Sequence, residues 1–342
     1  KLVTQLFGDR MMIANAAGCS TVWGATAPAI SYTTNPRGHG PSWGFSLFED
    51  NAEYGFGMYQ GAVQVRQTLT GHIQAALKMT ADAELKAAMA DWLEHRDEGD
   101  GSRKRADRLT AALAAAKGED KLLNEIYERR DFFVKRSNWI FGGDGWAYDI
   151  GFGGLDHVLA SGADVNALVF DTEVYSNTGG QSSKATPTAA IAQFAASGKK
   201  TRKKDLGVMM MSYGYVYVAQ IAMGADRNQT LKAIAEAEAY PGPALIIAYA
   251  PCLNHGIEAG MGKTQAQAKR AVEAGYWTLY RYNPQLAEQG KNPFTLDSKE
   301  PTASFQEFIR SEVRYSALFR QFPETADALF AKAEADAKAR RN

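Results

Sequence analysis

The chain has 342 residues, enough for one large α/β domain or two small ones, and its 45% hydrophobic and 22% charged residues are ordinary globular composition. A formal net charge of +0 leaves no electrostatic footprint for nucleic acid or an anionic membrane. No apolar run approaches the roughly 18–20 residues that span a bilayer and no signal-peptide pattern is present; two cysteines, Cys19 and Cys252, are too few for a secreted disulfide framework, so a reducing cytoplasm is the expected setting.

Lys1 leads directly into patterned sequence, which reads as a piece of something longer. Arg10–Ala14 reads as a buried strand stopping at Ala17-Gly18-Cys19. Gly24 to Trp43 is a loop rich in Gly, Pro, Thr and Asn, too long for a mere connection. From Phe48 to Ala116 the pattern is helical with a break at Arg96–Ser102, and Leu109 to Arg129 continues as helix. Strand Asn138–Phe141, helix Ala147–Ala160, and strands Asn166–Phe170 and Leu206–Met211 follow. Helix Gln229–Tyr240 and strand Ala244–Tyr249 complete the alternation. Strands alternating with helices predict a doubly wound, mostly parallel α/β sheet. From Lys263 the tail reads as helix, a Trp277–Tyr282 strand, and helices near Ser304–Arg314 and Glu324–Ala339. The domain reading is residues 1–262 as an α/β domain, with a helical insertion at about 49–130, and 263–342 as an extension packing on it. The basic run Lys199–Lys204 reads as a solvated loop, with docking of an acidic partner as the alternative.

Two turns carry the chemistry. Gly143-Asp144-Gly145 closes the apolar run Trp139-Ile-Phe-Gly-Gly, and one βα unit later comes Asp171-Thr172-Glu173-Val174-Tyr175-Ser176-Asn177. This layout suits a diphosphate and its Mg²⁺ at the open edge of a parallel sheet. A glycine turn presents an Asp to the metal, a helix start faces the phosphates, and a second oxygen-rich turn reaches the same edge. Gly-Asp-Gly alone also makes ordinary turns; with the second cluster it suggests thiamine diphosphate. Cys19, Asp144, the Thr172–Asn177 turn, Tyr213 and Cys252 each fall just past the end of a predicted strand, so one sheet edge would gather them. The alternative for the cysteines is a pair of inert buried thiols.

Gly142-Gly-Asp-Gly-Trp-Ala-Tyr-Asp-Ile-Gly151 and Phe170-Asp-Thr-Glu-Val-Tyr-Ser-Asn-Thr-Gly-Gly-Gln-Ser182 closely resemble the thiamine-diphosphate domain of the pyruvate:ferredoxin (flavodoxin) oxidoreductase family. Ala16–Cys19, Tyr32–Asn35, Gly40–Trp43, Ser46–Asn51, Pro251–His255 and Asn292–Pro301 extend the likeness over nearly the whole chain. The resemblance implies a sheet of the thiamine-diphosphate-binding type with a helical insertion and a helical tail. It implies Mg²⁺ on Asp144, the Thr172 side chain and the Val174 carbonyl, an oxygen set that a hard cation prefers. Gly143, Gly145 and Trp146 would contact the diphosphate, and Glu173, Tyr175 and Ser176 would belong to the same cofactor-binding turn. Asn177 would act catalytically as a hydrogen-bond donor to a developing oxyanion; its plain alternative is an Asx-turn. Cys19 and Cys252 would ligate a [4Fe–4S] cluster. Such a cluster takes four thiolates, so two would come from outside this chain.

The implied reaction is oxidative decarboxylation of pyruvate with coenzyme A to acetyl-CoA and CO₂. Electrons would pass through [4Fe–4S] clusters to ferredoxin or flavodoxin, in a homodimer completed by the remaining domains of the enzyme. Alternatives are another 2-oxo acid as substrate, or an inactive scaffold fragment. The five histidines fit no metal spacing; His39, in a glycine-rich loop, could border the site, and His255 could shape the loop after Cys252.

Overall fold

The computed structural model describes residues 1–25 and 30–342. It divides into two compact units. The smaller comprises Lys1–Met12, Tyr32–Ser42 and Gly55–Asn138, and the larger Ile13–Ser31, Trp43–Tyr54 and Trp139–Asn342.

The smaller unit is built by helices Asn51–Met79 (from Gly55 on), Ala83–His95, Ser102–Ala116 and Lys121–Glu128. Asp82 and Asp120 cap two of them, each accepting a backbone N–H, from Leu85 and Leu123 respectively. The Asp120 cap starts a new helix where the sequence predicts a continuous one from Leu109 to Arg129. Leu69, Ile73, Leu85, Met89, Trp92, Leu109, Leu113 and Ile126 form its core, and Trp92 Nε1 donates to the Phe133 carbonyl at 2.9 Å. Leu109 is fully buried there, so Leu109→Ala is expected to cost this unit about 2–5 kcal/mol. Faster amide hydrogen exchange across Ser102–Ala116 would report that loss.

The larger unit carries a sheet of β1 (Met11–Ala16), β2 (Ser42–Ser46), β3 (Ser137–Gly143), β4 (Asn166–Asp171), β5 (Tyr217–Ile221), β6 (Ala244–Tyr249), β7 (Tyr280–Tyr282) and β8 (Phe294–Leu296). The order is β2-β1-β3-β4-β6-β5-β7-β8. β3 with β4, β4 with β6 and β5 with β6 pair in parallel; β7 adds antiparallel to β5, and β8 antiparallel to β7. β4 and β6 are near-continuous buried apolar runs, as central parallel strands should be. The stretch 263–342 lies wholly in this unit, supplying β7, β8 and helices Phe305–Arg310, Val313–Gln321 and Pro323–Arg341.

Several elements differ from the sequence reading. Leu206–Met211 is a helix, not a strand. Asp205 caps it by accepting from Val208 N, and Leu206 and Met210, one helical turn apart, are buried while Val208 is exposed. The strand of this region is β5, and Tyr213 precedes it, so Tyr213 does not follow a strand end. The expected loop from Gly24 to Trp43 is narrower: Cys19–Ala25 is helix and β2 begins at Ser42, while residues 26–29 lie outside the described residues. Within the basic run Lys203 is buried, not solvated.

Candidate functional site

β1, β3, β4 and β6 deliver their C-terminal ends to one cleft of about 250 Å³ within the larger unit. Cys19, Gly143, Asp144, Gly145, Trp146, Thr172, Val174, Tyr175, Ser176 and Asn177 all line it. In the β3/β4 register Gly143 stands opposite Phe170, and in β4/β6 Asp171 stands opposite Tyr249, so the turns that follow emerge side by side. β6 continues through Ala250 and Pro251, which line the cleft, into Cys252.

Three oxygens converge. Thr172 Oγ1 lies 2.7 Å from Asp144 Oδ1 and 2.9 Å from the Val174 carbonyl oxygen. The other carboxylate oxygen of Asp144 accepts from Ser183 Oγ at 2.5 Å. One anionic and two neutral oxygens this close suit a hard divalent cation. After Asp144 the chain makes a wide turn, Gly151 N donating to Trp146 O at 3.0 Å, before helix Phe152–Ala160. A Cβ at Gly145 would come within 2.4 Å of the Tyr175 ring, itself edge-on to Phe48. The glycine thus gives the turn its closeness to the neighbouring one. Trp146 Nε1 is buried with no hydrogen-bond partner among the described residues.

Cys19 opens its helix at the cleft with Sγ 3.2 Å from Ser176 Oγ. Cys252 Sγ accepts from Asn254 N at 3.2 Å. Burial pushes the Cys252 thiol up, and the neighbouring Cys19 adds to the rise. Asn177 is exposed at the cleft, and its turn is closed by Gly180 N donating to Tyr175 O at 2.8 Å.

Residues 108–248 match the family described as thiamine pyrophosphate enzyme, C-terminal TPP binding domain, and residues 65–123 match pyruvate-ferredoxin oxidoreductase, insertion domain. The chain is 66% identical over 340 residues to the pyruvate-flavodoxin oxidoreductase of Klebsiella pneumoniae, covering 99% of this chain and 29% of that protein. It is 63% identical over 345 residues to the pyruvate:ferredoxin oxidoreductase of Moorella thermoacetica, with the same two coverages. Over nearly its whole length the chain is similar to pyruvate:ferredoxin and pyruvate-flavodoxin oxidoreductases. A mitochondrial pyruvate dehydrogenase (NADP+) of Euglena gracilis is 52% identical over 330 residues, 96% of this chain and 18% of that protein. The chain thus spans under a third of the length of these relatives.

Buried charge surrounds the two turns. Asp144, Asp171, Glu173 and Glu312 are buried carboxylates, faced by buried Lys203 and Arg314. Burial, then the charge on Asp171, push the Asp144 carboxyl up to about 7; burial likewise raises Asp171. Burial also pushes Glu173 upward, but Lys203 and Arg314 outweigh it and hold that carboxyl at about 2.

Of the predicted Asp171–Asn177 turn, Asp171 and Glu173 do not line the cleft; Glu173 lines a separate cavity with His255 and Arg314. His39 is not among the lining residues. His255 is fully buried, and its Nε2 lies 2.8 Å from the Thr172 carbonyl, to which it donates. Burial, then Arg314, depress its pKa, which fits a neutral ring. Ser183, Lys203 and Arg314 support the turns without standing in either motif, and proximity to charge in the sequence does not single them out. Gly145→Val should drive a methyl into Tyr175, and thiamine diphosphate content of the purified full-length enzyme is expected to fall to a small fraction of the parent's.

Proposed function

We propose that this chain is the part of a full-length pyruvate:ferredoxin or flavodoxin oxidoreductase that holds thiamine diphosphate through Mg²⁺ and supplies two thiolates to a [4Fe–4S] cluster. The observation that carries the reading is the meeting of Asp144 Oδ1, Thr172 Oγ1 and the Val174 carbonyl in a cleft that also takes Cys19. In this reading those three oxygens hold Mg²⁺. Gly143, Gly145 and Trp146 lie against the diphosphate, where the glycines allow close backbone approach and the free indole N–H donates. Tyr175 and Ser176 wall the same turn. Asn177 donates to charge developing on the substrate oxygen, a fixed dipole aimed at the transition state.

When bound, the cofactor supplies an electron sink for loss of CO₂ from a 2-oxo acid. Phe48, Phe170 and Trp23 give the cleft apolar walls beside the reacting region. Cys19 and Cys252 stand where electrons would leave, and the remaining cluster ligands come from elsewhere in the full-length enzyme. The reaction proposed for that enzyme is oxidation of pyruvate with coenzyme A to acetyl-CoA and CO₂, electrons passing to ferredoxin or flavodoxin. The enzyme is proposed to be a cytoplasmic homodimer; among the described residues no helix is long and apolar enough to cross a membrane.

Anaerobic reduction of a viologen dye by the full-length enzyme tests the reading. Pyruvate-dependent reduction that requires coenzyme A is expected. Faster reduction with 2-oxoglutarate or indolepyruvate would replace the substrate, and CO₂ release without dye reduction would remove the cluster from the reading.

A further inference from the structure

The turn that brings Thr172 and Val174 to Asp144 has a non-glycine residue at its centre in the left-handed region: Glu173 has φ 59°. A side chain there is unfavourable unless its surroundings impose it. Those surroundings are charged and buried. Lys203 Nζ lies 3.2 Å from Glu173 Oε1 and 2.7 Å from Asp171 Oδ2. Arg314 Nη2 lies 2.8 Å from Glu173 Oε2, and Tyr276 Oη donates to the same oxygen at 2.5 Å. Arg314 is in turn fixed by Glu312, at 2.8 Å through Nε, and Glu312 by Gln267 Nε2 at 2.9 Å. The backbone of the turn is tied at each side: Glu173 N donates to Asp171 Oδ1, and Thr186 Oγ1 to the Glu173 carbonyl. The cations come from two distant segments, one from the basic run and one from helix Val313–Gln321 in the tail.

We propose that Glu173, Lys203 and Arg314 are positioning residues for the cofactor metal. By holding the Glu173 side chain on the far side of the turn, they set Thr172 Oγ1 and the Val174 carbonyl at metal-binding separation. The inference rests on the metal site proposed above. It makes the tail part of the cofactor site, although no tail residue lines the cleft. The turn is thereby shaped before the metal arrives, and the entropy of ordering it is already spent in folding.

The test uses Mn²⁺ as probe in the full-length enzyme, stripped of cofactor and titrated with thiamine diphosphate present. Mn²⁺ EPR reports both affinity and ligand symmetry, which a purely stabilising ion pair would not alter. Glu173→Gln keeps the size but removes the charge that Lys203 and Arg314 grip, and it replaces one accepting oxygen with a donor. Residues that orient metal ligands typically change affinity 10–100-fold, so a loss of about tenfold or more is expected, with a broadened spectrum. Arg314→Lys, which retains the charge and so protects the fold, should give a smaller loss in the same direction. Parental affinity and line shape in both variants, whatever their melting temperatures, would overturn the proposal. The parent and Asp144→Ala serve as controls: a parent that binds no Mn²⁺ would remove the metal-site reading itself, a different outcome from variants that bind as the parent does.

Discussion

Asp144→Ala in the full-length enzyme is expected to yield protein devoid of thiamine diphosphate, with the fold intact. The proposed cation has one charged protein ligand, and it is this carboxylate. Losing it would remove several kcal/mol of binding, on the order of 10³-fold in metal affinity, and with it the ion proposed to hold the diphosphate. The fold should survive because the carboxylate is a burden to it before metal binds. Burial and Asp171 already push Asp144 up to about 7, so ionising it in place is unfavourable. Its hydrogen-bond partners, Ser183 and Thr172, are hydroxyls that have other acceptors at hand: Thr172 Oγ1 is 2.9 Å from the Val174 carbonyl, and Ser183 Oγ is within reach of Thr186 Oγ1 at 3.5 Å. Two measurements separate the cases. Thiochrome fluorescence gives cofactor content, and a thermal melt shows whether Mg²⁺ with thiamine diphosphate still stabilises the protein. Asp144→Asn, which keeps a neutral oxygen, should retain part of the effect. Stoichiometric cofactor in the alanine variant would move the metal to other ligands.

The parts of the site that were legible in the sequence are those in which motif residues meet one another. Asp144, Thr172 and Val174 follow the ends of β3 and β4, both strong apolar runs, and parallel pairing brings such ends together without further information. The same reasoning placed Cys19 and Cys252 at that edge. It failed for Tyr213 because Leu206–Met211 is apolar throughout and too short for its period to declare itself. The Asp205 cap is the local signal that it is a helix, and the aromatic and β-branched Tyr217-Val218 start of β5 is the signal for the strand. Glu173 was legible as part of the turn but not in its direction. Adjacency in sequence suggests a shared cleft, whereas φ 59° turns its side chain away. Lys203 reads as solvated because runs of lysine generally are. Its burial is decided by Asp171 and Glu173, which converge on it only after β4 is in the sheet. Arg314 lies still further along the chain, and only the folded tail explains it.

Cys252→Ser should separate the two proposed cofactors. The thiol follows β6 by a short turn, half-buried, with Asn254 N directed at its sulfur. A backbone N–H pointed at sulfur favours the thiolate, the form that binds iron, against the burial that otherwise raises its pKa. Serine preserves the turn but offers a shorter, harder oxygen, a poor substitute in a site that takes four thiolates. In the full-length enzyme the variant is expected to lose one [4Fe–4S] cluster's iron and its low-temperature EPR signal. Viologen reduction should then fall by at least about 100-fold, at or beyond the upper end of what disturbing a metal site's outer partners costs. Thiamine diphosphate should remain, because neither Asp144, Thr172 nor the Val174 carbonyl touches Cys252. Cys19→Ser should remove the same signal. It should also disturb the cofactor turn slightly, since its sulfur lies 3.2 Å from Ser176 Oγ in the cleft wall. Matching EPR losses from two cysteines so far apart in sequence would identify one shared cluster. A signal that survives both substitutions would return them to the role of simple thiols.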